Sequence, residues 1–202
     1  MFNDRLLVGG LFAVGLSVLA YSALGPFVAP VMAQEDGPGP NLVIDVGGAS
    51  NGQIVIDLAS DVAPKHVEQI VALAKGGEYD NVVFHRVIEG FMAQTGDVQF
   101  GKLGGDTAMA GMGGSSLPDL PAEFSSLSFD RGVVGMARSQ DPNSANSQFF
   151  IMFAPAPHLD GQYTIVGRVI SGMDVVDAIK RGDGRNGEVT DPDVMVKVTV
   201  QD

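Results

Sequence analysis

Residues 82–97 read Val82-Val-Phe-His-Arg86-Val-Ile-Glu-Gly90-Phe-Met-Ala-Gln94-Thr-Gly-Asp97. A run rich in β-branched and aromatic residues leads into Glu89-Gly90, and a second short apolar run leaves it, which is the pattern of strand, turn and strand. Alternation with period two places Phe84, Arg86 and Ile88 on one face and Val83, His85 and Val87 on the other. Arg86 has no acid beside it until Glu89. Burying an arginine is costly unless its charge finds a partner. It is therefore either paired, with Gln94 a candidate, or held ready for a ligand.

Outward from this hairpin the chain reads as many short strands. Residues 42–46 and 52–58 are expected strands around a turn at 47–51, the second alternating Ile54, Ile56 and Leu58 against Val55 and Asp57. A helix opens at Asp61-Val-Ala-Pro64, with proline suited to the first helical position. Val67, Ile70, Val71 and Ala74 give it one apolar face, and Gly76-Gly77 stops it. From Asp97 to Phe129 the sequence is loose and rich in glycine, an excursion of the kind that often carries function. Residues 132–137, 147–153 and 163–170 read as further strands, with a polar loop at 138–146. Ser171 is the expected cap of a second helix carrying Val175, Val176 and Ile179 and ended by Gly182. Residues 194–200 form the last strand. The tally is eight short strands and two separated helices, without the regular alternation of a parallel βαβ sheet. The pattern implies a mainly β fold, a closed or strongly curved antiparallel sheet with the two helices capping its open ends.

Composition narrows the function. With 24 acidic against 12 basic residues the net charge is −12, so nucleic acid and anionic membrane surfaces are not expected partners. The chain lacks cysteine, which removes disulfides, zinc–thiolate sites and cysteine nucleophiles together. His66, His85 and His158 are not at metal-ligand spacing, and His66 on the first helix reads as structural or surface. No Gly-x-Ser-x-Gly elbow is present. Gly111-Met-Gly-Gly114 lacks the Lys-Ser/Thr and the strand-to-helix frame of a phosphate cradle. No metal and no cofactor are expected.

The N-terminus carries an address. Residues 6–29 hold no charge, and Val31 and Ala33 form a small-x-small pattern before Gln34-Glu35-Asp36. Residues 1–33 are expected to be a signal peptide cut after Ala33, or an uncleaved anchor, since the apolar run suffices to span about 30 Å of hydrocarbon. Residues 34–41 form a Pro/Gly linker, and 42–202 the exported domain. A monomer is the default, and a membrane is a partner only if the leader stays.

What remains is an apolar surface with one arginine and several amides, and it resembles a family. Phe84-His-Arg-Val-Ile88, Gly90-Phe-Met-Ala-Gln94 and Gly96-Asp97 are similar to the signature of the cyclophilin-type peptidyl-prolyl isomerases. Gly135-Met-Ala137, Ser147-Gln-Phe-Phe-Ile151, Leu159-Asp-Gly161, Val166-Gly-Arg-Val169 and Gly172-Met-Asp-Val-Val176 continue the similarity in order, from about Leu42 to the C-terminus. The resemblance implies a mainly β fold, a closed antiparallel eight-stranded β-barrel capped by two helices. It implies rotation about X-Pro bonds as the activity and proline-containing unfolded or flexible segments as partners. Taken with the leader, the expected role is protein folding in the bacterial envelope, in the periplasm. It implies Arg86 as the donor to the prolyl nitrogen and Gln94 as its holder. It implies Phe91, Met92, Phe150 and Leu159 as the proline pocket, Ala137 and Arg138 beside the peptide main chain, and Gln148 on the same groove. His85 belongs to the motif but alternates away from Arg86, and Phe149 points opposite to Phe150, so both read as structural. Three positions depart from the pattern. His158 stands where many members carry a tryptophan that assists cyclosporin binding, which implies a weaker hold on that inhibitor. Tyr163 replaces a pocket histidine, and Arg138 a common asparagine, changing preference near proline. The rival reading is a proline-peptide-binding chaperone module without turnover, which would have no need of Arg86.

Overall fold

The computed structural model describes residues 35–183 and 186–202, so the signal-peptide assignment to residues 1–33 lies outside the described residues. Nine strands and two α-helices form one domain: β1 Asn41–Gly47, β2 Gly52–Leu58, α1 Pro64–Lys75, β3 Val82–Val83, β4 Arg86–Ile88, β5 Met92–Thr95, β6 Val133–Met136, β7 Phe149–Met152, β8 Ile165–Ser171, α2 Met173–Ala178 and β9 Val194–Gln201. All strand pairs are antiparallel, in the order β3-β9-β1-β2-β8-β6-β7-β5-β4. The expected closed eight-stranded barrel is thus corrected to an open, curled sheet of nine strands.

The extra strand and the open edge have one cause. The first arm of the 82–97 hairpin is split: Val82 and Val83 pair with β9, and Arg86 to Ile88 pair with β5. Phe84 and His85 leave the ladder between them, carrying the chain from one sheet edge to the other. The split also reverses side-chain parity. Val82 and Phe84 are fully buried in the main core, and so is Val87, while Arg86 and Ile88 face the other way. The expected shared face of Phe84, Arg86 and Ile88 therefore ends at the break. The outer edge of β4 is met by Gly182 and Gly187, through Val87 N to Gly187 O at 2.7 Å and Gly182 N to Val87 O at 2.9 Å.

The main core lies inside the curl, where Leu42, Ile44, Ile54, Ile56, Phe149, Ile151 and Val198 meet the apolar face of α1. Phe149 is buried there, as its opposition to Phe150 anticipates. Pro64 opens α1, but Ala63 at the cap position has no side chain to receive the free amides. Glu123, from the long excursion, accepts from His66 N at 3.2 Å, Lys65 N at 3.3 Å and His66 Nδ1 at 2.6 Å. His66 is fully buried, a structural histidine. Burial alone would raise the Glu123 carboxyl, but these hydrogen bonds, His66 Nδ1 foremost, outweigh it and hold it below the usual carboxylate range. The second helix departs from expectation at both ends. Ser171 is the last residue of β8, and the cap is Gly172 at φ 85°. A side chain could not stand there, since a Cβ would lie 2.1 Å from Gln53 O. The helix then stops at Ile179 rather than Gly182.

Replacing Glu123 by alanine strips these donors of their partner at once. Glu123→Ala is expected to lower unfolding free energy by about 1–3 kcal/mol, read as a drop in the urea midpoint at pH 7. An unchanged midpoint contradicts the role.

Candidate active site

The site lies on the face of the sheet turned away from the main core, and register assembles it. Arg86 stands opposite Gln94, Gln94 opposite Phe150, and Phe150 opposite Gly135. Directly opposed residues of antiparallel strands share a face, so these four form one row across β4, β5, β7 and β6. In the next row Ile88 opposes Met92, and Met92 opposes Met152. Gly135 must be small: a Cβ there would lie 2.6 Å from both Phe129 and Phe150. Those two rings stack over it, with centroids 5.8 Å apart.

Nine of the eleven anticipated residues line one cavity of about 190 Å³: Arg86, Phe91, Met92, Gln94, Ala137, Arg138, Phe150, Leu159 and Tyr163. Met92, Phe150 and Leu159 are buried and form its apolar floor. Tyr163 meets Phe150 edge-on at 5.9 Å. The other two residues stand outside it. Gln148 lines an adjoining cavity of about 500 Å³ that shares Gln94, Ala137 and Arg138 with the first. His158 is exposed and stacks on the ring of Phe91, 5.8 Å between centroids.

Arg86 is half-buried, and its partners among the described residues are uncharged. Its Nη1 donates to Gln94 Oε1 at 3.1 Å and stands 3.9 Å from Met92 Sδ, and its Nε donates to the carbonyl of Asn186 at 2.9 Å. Nη2 has no partner among the described residues. Burial lowers the guanidinium pKa and Tyr163 opposes the shift. An arginine nonetheless stays charged at neutral pH. Gln94 is fixed in turn: its Nε2 donates to Gln148 Oε1 at 2.9 Å, and Gln148 Nε2 donates to Gly113 O at 2.8 Å. The sequence reading identified Gln94 and missed the two carbonyls, Asn186 and Gly113. Backbone oxygens are common to every residue type, so no side-chain pattern marks them.

His85 is buried beside Gly111 and Asp97, and neither ring nitrogen has a hydrogen-bond partner among the described residues. Asp97 is itself buried and accepts from the amides of Gln99, Phe100, Gly111 and Gly113, which folds the glycine-rich loop around it. Burial pushes the His85 pKa down to about 4, the Asp97 charge opposing it. His85 is thus neutral at physiological pH and lies behind the site.

Residues 43–200 match the model of the family described as cyclophilin type peptidyl-prolyl cis-trans isomerase/CLD. The chain belongs to the cyclophilin family. A probable peptidyl-prolyl cis-trans isomerase of Brucella suis is 60% identical over 154 residues, 75% of this chain and 79% of that one. A peptidyl-prolyl cis-trans isomerase-like 2 of Cryptococcus neoformans is 43% identical over 137 residues, 67% of this chain and 23% of that one. Among solved structures, the cyclophilin AquaCyp293 of Hirschia baltica superposes with a TM-score of 0.67 at 26% identity, covering 82% of this chain and 75% of that one. A Cryptosporidium parvum cyclophilin, crystallised in the presence of the dipeptide Ala-Pro, superposes with a TM-score of 0.69 at 27% identity, covering 80% and 99%. The protein is a cyclophilin-type peptidyl-prolyl cis-trans isomerase.

The depressed pKa of His85 has a consequence for stability. Its unfolded-state pKa is about 6.5, so below that value the unfolded chain binds the proton first. The contribution of neutral His85 is complete above pH 6.5 and is lost as pH falls towards 4, by about 3 kcal/mol in all. His85→Phe is expected to flatten this part of the stability–pH curve, measured by urea unfolding at pH 7, 6, 5 and 4.5. Parallel curves for the two proteins contradict it.

Proposed function

We propose that this cyclophilin catalyses X-Pro rotation with Arg86 as the electrostatic catalyst, and that it does so on proteins folding in the bacterial envelope. The observation that carries the first part is a guanidinium fixed at the edge of an apolar cavity by Gln94 and the Asn186 carbonyl, with no partner for Nη2 among the described residues. Rotation requires loss of amide resonance, a barrier of about 18–20 kcal/mol. In the twisted transition state the prolyl nitrogen gains a basic lone pair. A fixed cationic donor aimed at that nitrogen stabilises the twisted state more than the planar one, which is the condition for catalysis. No bond is broken, so the reaction calls for no nucleophile, metal or cofactor.

The remaining roles are those the resemblance implies, and the cavity lining supports them for the residues it brings together. Phe91, Met92, Phe150 and Leu159 receive the proline ring. Gln94 orients Arg86 and touches the substrate backbone. Ala137 and Arg138 run alongside the peptide main chain, Gln148 extends the groove, Tyr163 lines the cavity against Phe150 and Arg138, and His158 stacks on Phe91 at the rim. The substrates are flexible, proline-containing segments of other proteins, a class that the Ala-Pro dipeptide present with the Cryptosporidium parvum cyclophilin supports. The envelope assignment is supported by the uncharged stretch 6–29 and the Val31-Met-Ala33 pattern. On this reading residues 1–33 direct export, 34–41 tether and 42–202 form the working domain, a monomer either released into the periplasm or held at the inner membrane.

Two measurements test this. Arg86→Ala is expected to lower kcat/KM on an X-Pro peptide by about 100- to 1000-fold, the loss typical of one preorganised donor, in an NMR-exchange assay. Equal rates for variant and parent contradict the role of Arg86, and equal rates at the uncatalysed level leave only a binding module. N-terminal sequencing of the protein recovered from the envelope is expected to begin at Gln34. A start at Met1 makes the leader an anchor.

A further inference from the structure

We propose that Arg138 makes this isomerase favour X-Pro segments carrying an acidic side chain within two residues of the proline. The inference rests on the isomerase reading of the groove and names a substrate class for it. Arg138 lines both the small cavity and the larger one beside it, so a peptide with its proline in the first must pass this guanidinium as it leaves towards the second.

The side chain is held as a fixed charge rather than a free one. Nη1 donates to Ser139 O at 2.9 Å and to Gln140 O at 3.4 Å, and Nη2 donates to Gln162 O at 2.9 Å. The guanidinium carbon stands 4.3 Å from the centre of the Tyr163 ring, a cation–π arrangement. These partners are neutral and leave the positive charge intact. Among the described residues no carboxylate pairs with Arg138, whereas Arg131 pairs with Asp177 at 2.6 Å and Arg181 with Glu89 at 2.5 Å. In a chain with twice as many acidic as basic residues, an arginine clamped by carbonyls and lacking an acid has charge left for a ligand. The lining of the small cavity contains Arg86 and Arg138 and no carboxylate.

Arg86 does not serve the same end, because its donors converge on Met92, Gln94 and Asn186 at the proline cavity. On the larger cavity the acidic lining residue is Asp119, which accepts from Asn146 Nδ2 at 2.9 Å. It repels an acid that reaches deep into that cavity. The preference therefore falls on side chains that end at Arg138, close to the proline.

The test is a peptide series differing only in Glu, Gln or Lys at each of the two positions before and after proline. NMR exchange serves here because it avoids a coupling protease's own selectivity. Comparing the parent with Arg138→Gln, the Glu-to-Lys ratio of kcat/KM at one or more positions is expected to be about two- to fivefold higher in the parent, the range of a partly exposed ion pair. The parent's ratio is also expected to shrink in 0.5 M salt, a measurement that stands even where the variant does not fold. Equal ratios in both proteins at every position, or a parental ratio indifferent to salt, overturn the inference while leaving the isomerase reading intact. Failure of the parent to accelerate any peptide overturns both.

Discussion

The architecture depends on the two residues that join the edges of the sheet. Phe84 and His85 leave β3 paired to β9 and deliver the chain to β4 paired to β5. Because they make no ladder of their own, the chain can exchange the side it presents to the interior. Phe84 goes into the main core and Arg86 comes out onto the opposite face. A continuous strand would have held Phe84 and Arg86 on one face, since side chains two apart coincide. Either the phenylalanine would then be lost from the core or the guanidinium would be buried in it, at a cost no neutral partner offsets. The break is thus what allows a well-packed interior and a charged site to sit two residues apart.

From that point the site is a matter of rows and neutral clamps. Cross-strand pairing sets Arg86, Gln94, Phe150 and Gly135 side by side without any loop rearrangement. Sites built on strands hold their geometry better than sites on loops. The loops contribute where strands cannot, through the Asn186 and Gly113 carbonyls. The buried Asp97 carboxylate anchors the loop that supplies Gly113, so the orientation of Gln94 is traceable to four backbone amides on an acid it never touches.

Much of this was legible in the chain and some was not, for physical reasons. Alternation found the strands of the long pairs, and Pro64 and Gly76 bounded α1 as proline and glycine do. The first hairpin arm was read as one strand because its composition is uniformly strand-forming. What splits it is a change of partner, which is a long-range fact. Likewise Ser171 has the chemistry of a cap, but β8 claims it first and a left-handed Gly172 takes the turn. The cavity-lining side chains were named because they fall in motifs. Gln148, inside the Ser147–Ile151 motif, and His158, at the family's tryptophan position, were named on the same resemblance, and the fold sets one in the adjoining cavity and the other on the rim. Glu123 as the partner of α1 was invisible, being far along the chain from the helix whose amides it receives.

The chemistry of the clamps bears on why, among the described residues, neither groove arginine is paired with an acid. A carboxylate at Arg86 would hold the guanidinium more firmly than an amide does, since charge-assisted bonds are about twice as strong as neutral ones. On the proposed mechanism it would also cancel the field that the nascent lone pair on nitrogen must feel. Amide and carbonyl dipoles orient the group and leave its net charge standing. Gln94 and the Asn186 carbonyl do this for Arg86, and three carbonyls with the Tyr163 ring do it for Arg138. An acidic protein that places two arginines on one cavity, with no acid paired to either among the described residues, has concentrated its positive potential at that cavity.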